Sequence, residues 1–295
     1  MGEGGWGGEV ASSQLLISRY ISIYFKVFNN PVFIKGDRMN FRFVICCIMV
    51  LLTQSFSRIN SDSDQLVQVS TIDALLGGIY DGEVSIENLL GQGDFGLGTF
   101  NTLDGEMIIA DGVCYQVKSD GSVSIAPKTL KTPFAAVTHF EPDQKFSIVG
   151  TVSLDQLMAK IDSSITSANM IQAVRITGRI ISATARSVPS QKPPYRKLAE
   201  IAKTQPVFTV TNKRGMLAGF RCPPYVKGLN VPGYHLHLLT DDKLEGGHLL
   251  SLSADSITIE IDQTDSFKVL LPHDNVFAKA NFTEDKEAEL KKVEK

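Results

Sequence analysis

The sequence is poor in the side chains on which redox and metal chemistry often rest. It has five histidines, four cysteines and one tryptophan in 295 residues. It also lacks an excess of positive charge: 29 Lys and Arg stand against 32 Asp and Glu, a formal net charge of −3. That argues against a general nucleic-acid binder, whose partner is a polyanion. No Walker loop, no GxGxxG after a strand and no internal repeat is present, so the sequence marks of phosphate-loop, dinucleotide and solenoid proteins are missing. No apolar run reaches the roughly 20 residues that a spanning helix needs. Disorder and fibrous structure are excluded by composition, because 43% hydrophobic and 21% charged residues sit close to the globular norm. The length suits one large core or two modest domains.

The first 57 residues read differently from the rest. A Gly-rich opening, MGEGGWGGEV, and a broken apolar stretch precede MNFRFVICCIMVLLTQSFSRIN. With Met39 as the start, Arg42 supplies a positive n-region, Phe43 to Leu52 a ten-residue apolar h-region, and Ser55-Phe-Ser57 a small-x-small cleavage site. This is the pattern of a secretory signal peptide, and the expected location is extracellular. Cys46 and Cys47 would leave with that segment. Cys114 and Cys222 remain, either as one disulfide or as two buried thiols. The sequon Asn281-Phe-Thr283 has meaning only in a eukaryotic secretory pathway.

From about residue 63 the pattern is strand-rich with a few helices. STIDALLGGIYDGEVSIENLLGQ reads as two short helices, and Leu154 to Ile161 as a third. Asp111-Gly112 and Asp120-Gly121 are hairpin dipeptides between β-rich runs. AVRITGRIISATARSV is a long strand candidate, dense in β-branched residues. After the Pro-rich VPSQKPPY and a short helix over Lys197 to Lys203, the segments PVFTVTN, MLAGFRC, YHLHLLT, HLLSLSADSITIEI and FKVLL read as strands. The tail, EDKEAELKKVEK, reads as a solvated helix or a frayed end. The expected fold class is α+β with mixed or antiparallel sheets. Its expected divisions are residues 1–57 (extension and signal), 63–188 (an N-terminal sheet subdomain) and 189–295 (a C-terminal metal-binding subdomain with a helical tail).

Three of the five histidines fall within fourteen positions, in GYHLHLLTDDKLEGGHLL. On a strand, His235 and His237 point the same way, about 7 Å apart, while Leu236 and Leu238 face the other side. Gly246-Gly247 lets the backbone tighten before His248 opens the next strand. If the two strands pair, His248 faces the other two across the hairpin. Three imidazoles without cysteine form a zinc site that keeps a position open for water or substrate. Ordinary half-exposed strand histidines are the bland alternative. The spacing would equally serve a zinc lyase, a zinc-hydroxide hydratase or a hydrolase. His139 and His273 have no partner at metal spacing and read as structural or surface residues.

Three longer segments carry a resemblance. GDFGLGTFNTLDGEMIIADGVCYQ, VRITGRIISATARSVPSQKPPY and GLNVPGYHLHLLTDDKLEGGH resemble acetolactate decarboxylases, in the same order, within a likeness spanning about residues 65 to 294. Leu239 and Lys243 depart from the family, which often has an aromatic residue and an arginine there. The resemblance implies a two-subdomain fold, conversion of the small molecule 2-acetolactate to acetoin and carbon dioxide, a Zn2+ cofactor and a homodimer, with no nucleic acid and no stable membrane span. It assigns the metal to His235, His237 and His248. It assigns catalysis to Glu106 of LDGE, Arg186 of RSVP and a tail glutamate, best matched by Glu294, with Glu287 and Glu289 close by. It places Thr99 of GTF in the substrate pocket, together with Arg186. Taken without the resemblance, Glu106 is a turn residue, Arg186 a surface charge and Glu294 part of a tail. A non-catalytic binding protein on the same fold is the alternative from another class.

Overall fold

A computed structural model describes residues 64–294. The signal-peptide reading, with its apolar run at 43–52, lies outside the described residues. No helix among the described residues is long and apolar enough to cross a membrane.

The strands are β1 (Gln65–Val69), β2 (Val84–Ser85), β3 (Phe95–Thr99), β4 (Glu106–Ala110), β5 (Val113–Val117), β6 (Val123–Ile125), β7 (Lys131–Thr132), β8 (Ala135–Thr138), β9 (Gln144–Ser153), β10 (Ile171–Arg186), β11 (Val207–Cys222), β12 (Gly233–Thr240), β13 (Gly246–Thr264) and β14 (Ser266–Leu270). The helices are α1 (Ile72–Leu76), α2 (Ile86–Leu90), α3 (Leu154–Ser164), α4 (Leu198–Ile201), α5 (Asn275–Lys279) and α6 (Glu287–Val293). The α+β expectation holds.

Local chemistry accounts for the shorter elements. Asp111 and Gly112 both take positive φ, the geometry a two-residue hairpin needs to match strand twist. Ser153 and Gln156 form a reciprocal capping box that starts α3, while Leu157 and Ile161 bury its inner face.

Seven strands form one sheet in the order β14-β1-β8-β3-β4-β5-β6, antiparallel except for the β1–β14 pair. The other large sheet closes on itself. β10 pairs with β11 on one edge and β13 on the other, and β12 bridges β11 to β13, so these four strands make a ring to which β9 is added. Inside the ring lie Val174, Ile176, Leu217, Leu236, Leu238 and Leu252. Its outer face, with Ala173, Met216, Ala218, Phe220 and Leu239, packs on Phe95, Leu97, Ile108 and Val117 of the seven-stranded sheet. A third apolar cluster joins α1, α4 and α6 through Ile72, Leu75, Leu198, Ile201, Leu290 and Val293.

Three expectations change. The sheets do not part near residue 188: β9 and β10 precede that point and pair with later strands, whereas β14 follows it and pairs with β1. Pairing on both edges of β10 joins the two sides of the Pro-rich segment. PVFTVTN and MLAGFRC are one strand, because β10 holds them in a single register from Gln172 to Arg186, interrupted only at Ile181 and Asn212. The tail is docked, not frayed: Leu290 and Val293 are buried against α1 and α4. Cys114 and Cys222 are free, buried thiols in different apolar clusters. Burial pushes both thiols up to about 12.

Candidate metal centre

β12 places His235 and His237 on its outer side, as the period of two requires. In the ladder His237 lies opposite His248 of β13, and His248 lies opposite Arg186 at the end of β10. Register partners share a face, so Arg186, His248 and His237 form one row across the ring. Gly247 makes this row possible. Its φ is +135°, and a Cβ there would stand 2.4 Å from the Arg186 carbonyl oxygen.

The three imidazoles converge. One ligand atom from each lies within 4.8 Å of the others, and the ring centroids are 5.0 to 5.3 Å apart. All three are buried. Burial and the Arg186 charge hold His235 down to about 3, and burial above all holds His237 and His248 well below the ordinary histidine value. The rings are therefore neutral at pH 7, the form that ligates a metal. His237 Nδ1 lies 2.9 Å from the Met107 carbonyl. A carbonyl only accepts, so Nδ1 carries the proton and Nε2 presents its lone pair. Buried His237 Nε2 and His235 Nδ1 have no hydrogen-bond partner in the protein. Ring nitrogens left without partners in one buried cluster, with a carbonyl fixing one tautomer, fit a divalent cation of the zinc type. No other group among the described residues has metal-ligand spacing.

The seven-stranded sheet supplies the facing wall. Thr99 pairs with Glu106 across β3 and β4, so both side chains face the ring. Thr99 Oγ1 donates to the Gly105 carbonyl at 2.7 Å, bracing the turn before Glu106. Gly105 has φ +89°, and a Cβ there would meet the Val117 carbonyl oxygen at 2.3 Å. Glu106 Oε2 stands 3.6 Å from His237 Nε2. The end of α6 delivers Glu294, whose Oε2 stands 3.6 Å from His248 Nε2. These separations are too long for hydrogen bonds.

Burial pushes Glu106 up to about 8, with Arg186 opposing and Glu294 adding to the rise. Burial likewise pushes Glu294 up to about 7, with Arg186 opposing. Near neutral pH the metal-free site thus holds neutral imidazoles and two carboxyls shifted toward the protonated form beside one cation, Arg186, which is 3% exposed.

One pocket gathers the residues assigned to metal, catalysis and substrate: Thr99, Glu106, Arg186, His235, His237, His248 and Glu294. Glu287 and Glu289 are not brought in. Glu287 pairs with Lys227 and Lys291, and Glu289 lies 3.7 Å from Lys197. His139 is half-buried and His273 exposed, outside the site. Sequence reasoning missed the Met107 carbonyl, the apolar wall of Leu75, Phe134, Leu198 and Val293, and Gln205. A backbone acceptor leaves no mark in the sequence, and Gln205 sits in a segment without periodicity.

Comparison with known proteins agrees with this geometry. The family model for alpha-acetolactate decarboxylase matches residues 66–284. Alpha-acetolactate decarboxylase of Methanosarcina mazei is 44% identical over 236 residues, covering 80% of this chain and 82% of the relative. That of Klebsiella aerogenes is 42% identical, covering 77% and 87%. The crystal structure of the Bacillus subtilis strain 168 enzyme superposes with a TM-score of 0.77 at 35% identity, covering 78% of this chain and 99% of that one. With sequence and fold alike over most of its length, the chain belongs to the alpha-acetolactate decarboxylase family.

Proposed function

We propose that this protein is a zinc-dependent acetolactate decarboxylase, converting 2-acetolactate to acetoin and carbon dioxide. The observation that carries the reading is the convergence, in one pocket of a family member, of three buried imidazoles, a buried arginine and two buried carboxyls.

His235, His237 and His248 would hold the zinc. When bound, it supplies Lewis-acid stabilisation of the oxyanion that develops as carbon dioxide leaves a β-keto acid. Arg186 offers a fixed fork of donors that binds the substrate carboxylate and orients the bond to be broken. Its position in the His237–His248 row brings that carboxylate beside the metal ligands. The C–C electron pair stays with the substrate as an enediolate, which must then gain a proton on carbon. Burial raises Glu106 to about 8 and Glu294 to about 7, and each stands beside a metal ligand, so each is a proton donor of suitable strength. Leu75, Phe134, Leu198 and Val293 keep bulk water from the reacting carbon. Export through a leader starting at Met39 and a homodimeric state belong to the same proposal, supported by the leader pattern and by the family resemblance.

The test supplies 2-acetolactate to metal-stripped protein beginning at Arg58, then again after zinc is returned. Acetoin formed only with zinc is the expected result. Folded, zinc-loaded protein that makes none would overturn the assigned reaction while leaving the metal site in place.

A further inference from the structure

Gln205 is the pocket's one neutral side-chain amide, and the proposed reaction has not used it. Its Oε1 is buried, and no protein group hydrogen-bonds it. Its place is set by the ladder: Arg186 pairs with Val207, and the Ser187 amide donates to the Pro206 carbonyl at 3.3 Å. Gln205 is the next residue out, in extended conformation, and it lines the pocket together with Val188. The backbone that fixes Arg186 therefore also fixes Gln205.

Among the pocket's side-chain oxygens, Gln205 Oε1 alone has no contact with a neighbouring polar group. The Thr99 hydroxyl donates its proton to Gly105. Arg186 has donors and no acceptor. Glu106 and Glu294 stand against the imidazoles of His237 and His248. The substrate's tertiary hydroxyl brings one proton that needs an acceptor. An amide oxygen can accept that proton in a hydrogen bond without removing it, because the amide is not basic.

We propose that Gln205 is a specificity-determining residue whose Oε1 accepts a hydrogen bond from the tertiary hydroxyl of the substrate. It thereby selects 2-hydroxy-3-oxo acids over 3-oxo acids that carry an alkyl group at that position. A site with a buried acceptor rejects the analogue that leaves the acceptor unpaired. The inference rests on the proposed decarboxylation.

The test compares two inhibitors of zinc-loaded protein: acetoin, which keeps the hydroxyl, and 3-methyl-2-butanone, which replaces it with methyl. In Gln205→Met, of similar length but without the amide, the Ki for acetoin rises by about five- to tenfold. The Ki for 3-methyl-2-butanone stays within about twofold of wild type. For 2-acetolactate the change falls on KM more than on kcat, because the hydrogen bond exists before and during the reaction. An equal change for both inhibitors, or none for either, overturns the role of Gln205 while wild-type turnover stands. Wild-type protein that forms no acetoin overturns the decarboxylase reading instead. Gln205→Ala repeats the comparison if the methionine variant does not fold.

Discussion

His237 is held at one ring nitrogen by the Met107 carbonyl and bare at the other, and it is 1% exposed. Removing it takes out one of three ligands and leaves that carbonyl without its donor. His237→Ala should abolish zinc uptake and acetoin formation together, read by elemental analysis and by product assay. Activity without the histidine would remove the metal assignment. Glu294 lies beside the ligand His248 without serving as a ligand in the proposed scheme. Glu294→Gln should keep zinc and lose about a hundredfold in kcat, within the usual range for a general acid. An unchanged rate would leave Glu106 as the only candidate donor. The thiols give a simpler check. Cys114 and Cys222 are buried and free, so an aromatic disulfide reagent should label neither in folded protein beginning at Arg58, and both after denaturation.

At the scale of elements, α6 carries the tail carboxyl into the pocket. Two kinds of contact hold it. Lys227 pairs with Asp285 and Glu287 at 2.9 and 2.8 Å, but all three side chains are substantially exposed. Exposed pairs of this kind contribute about 0–1 kcal/mol each. Leu290 and Val293 are buried against α1 and α4. Truncating a buried leucine costs about 2–5 kcal/mol, so the apolar contact decides where Glu294 sits. Leu290→Ala should lower kcat about tenfold with zinc retained, on the arithmetic that 1.4 kcal/mol is tenfold. Lys227→Ala should stay within about twofold of wild type. The reverse pattern would mean that charge, not packing, seats the helix. The Gly247 bend is the other element on which the site depends. Gly247→Ala should destabilise the protein by about 2 kcal/mol through strain and the close Arg186 carbonyl, read as a lowered denaturation midpoint.

Across the whole molecule, the site makes stability depend on pH in two opposed ways. His235 titrates near 3 in the folded state against an ordinary 6.5. Between those values the unfolded chain binds the proton and the folded one does not, so stability is lost as pH falls below about 6.5. Glu106 and Glu294 titrate near 8 and 7 against an ordinary 4.5. Their folded forms keep protons that the unfolded chain has released, so their contribution is full below about 4.5 and is lost as pH rises through 7 to 8. Metal-free protein should therefore lose thermal stability on both sides of neutrality. Zinc should raise Tm more at pH 8 than at pH 5, because protons compete for the imidazoles at low pH and a cation offsets ionised carboxyls at high pH. Equal shifts at the two pH values would contradict this placement of the charges.

The sequence by itself determined what depends on neighbours along the chain. The period of two put His235 and His237 on one side of β12, and Asp-Gly at 111–112 set a hairpin. The turn over residues 241–245, followed by the two glycines that open β13, brought His248 opposite His237. These follow from local backbone geometry, which is why the three-histidine group could be read before any fold was known. Resemblance to a family then singled out Glu106, Arg186 and Glu294 for roles that their local setting does not suggest. Only the tertiary structure decided that these three stand in one pocket with the histidines, that β10 closes a ring by pairing on both edges, and that α6 docks instead of fraying. The physical reason is the same in each case. Long-range register and helix docking are set by apolar burial summed over distant segments, here the clusters joining the ring to the seven-stranded sheet and α6 to α1 and α4. That burial also raised the two carboxyls and lowered the imidazoles, which turned ordinary side chains into a site.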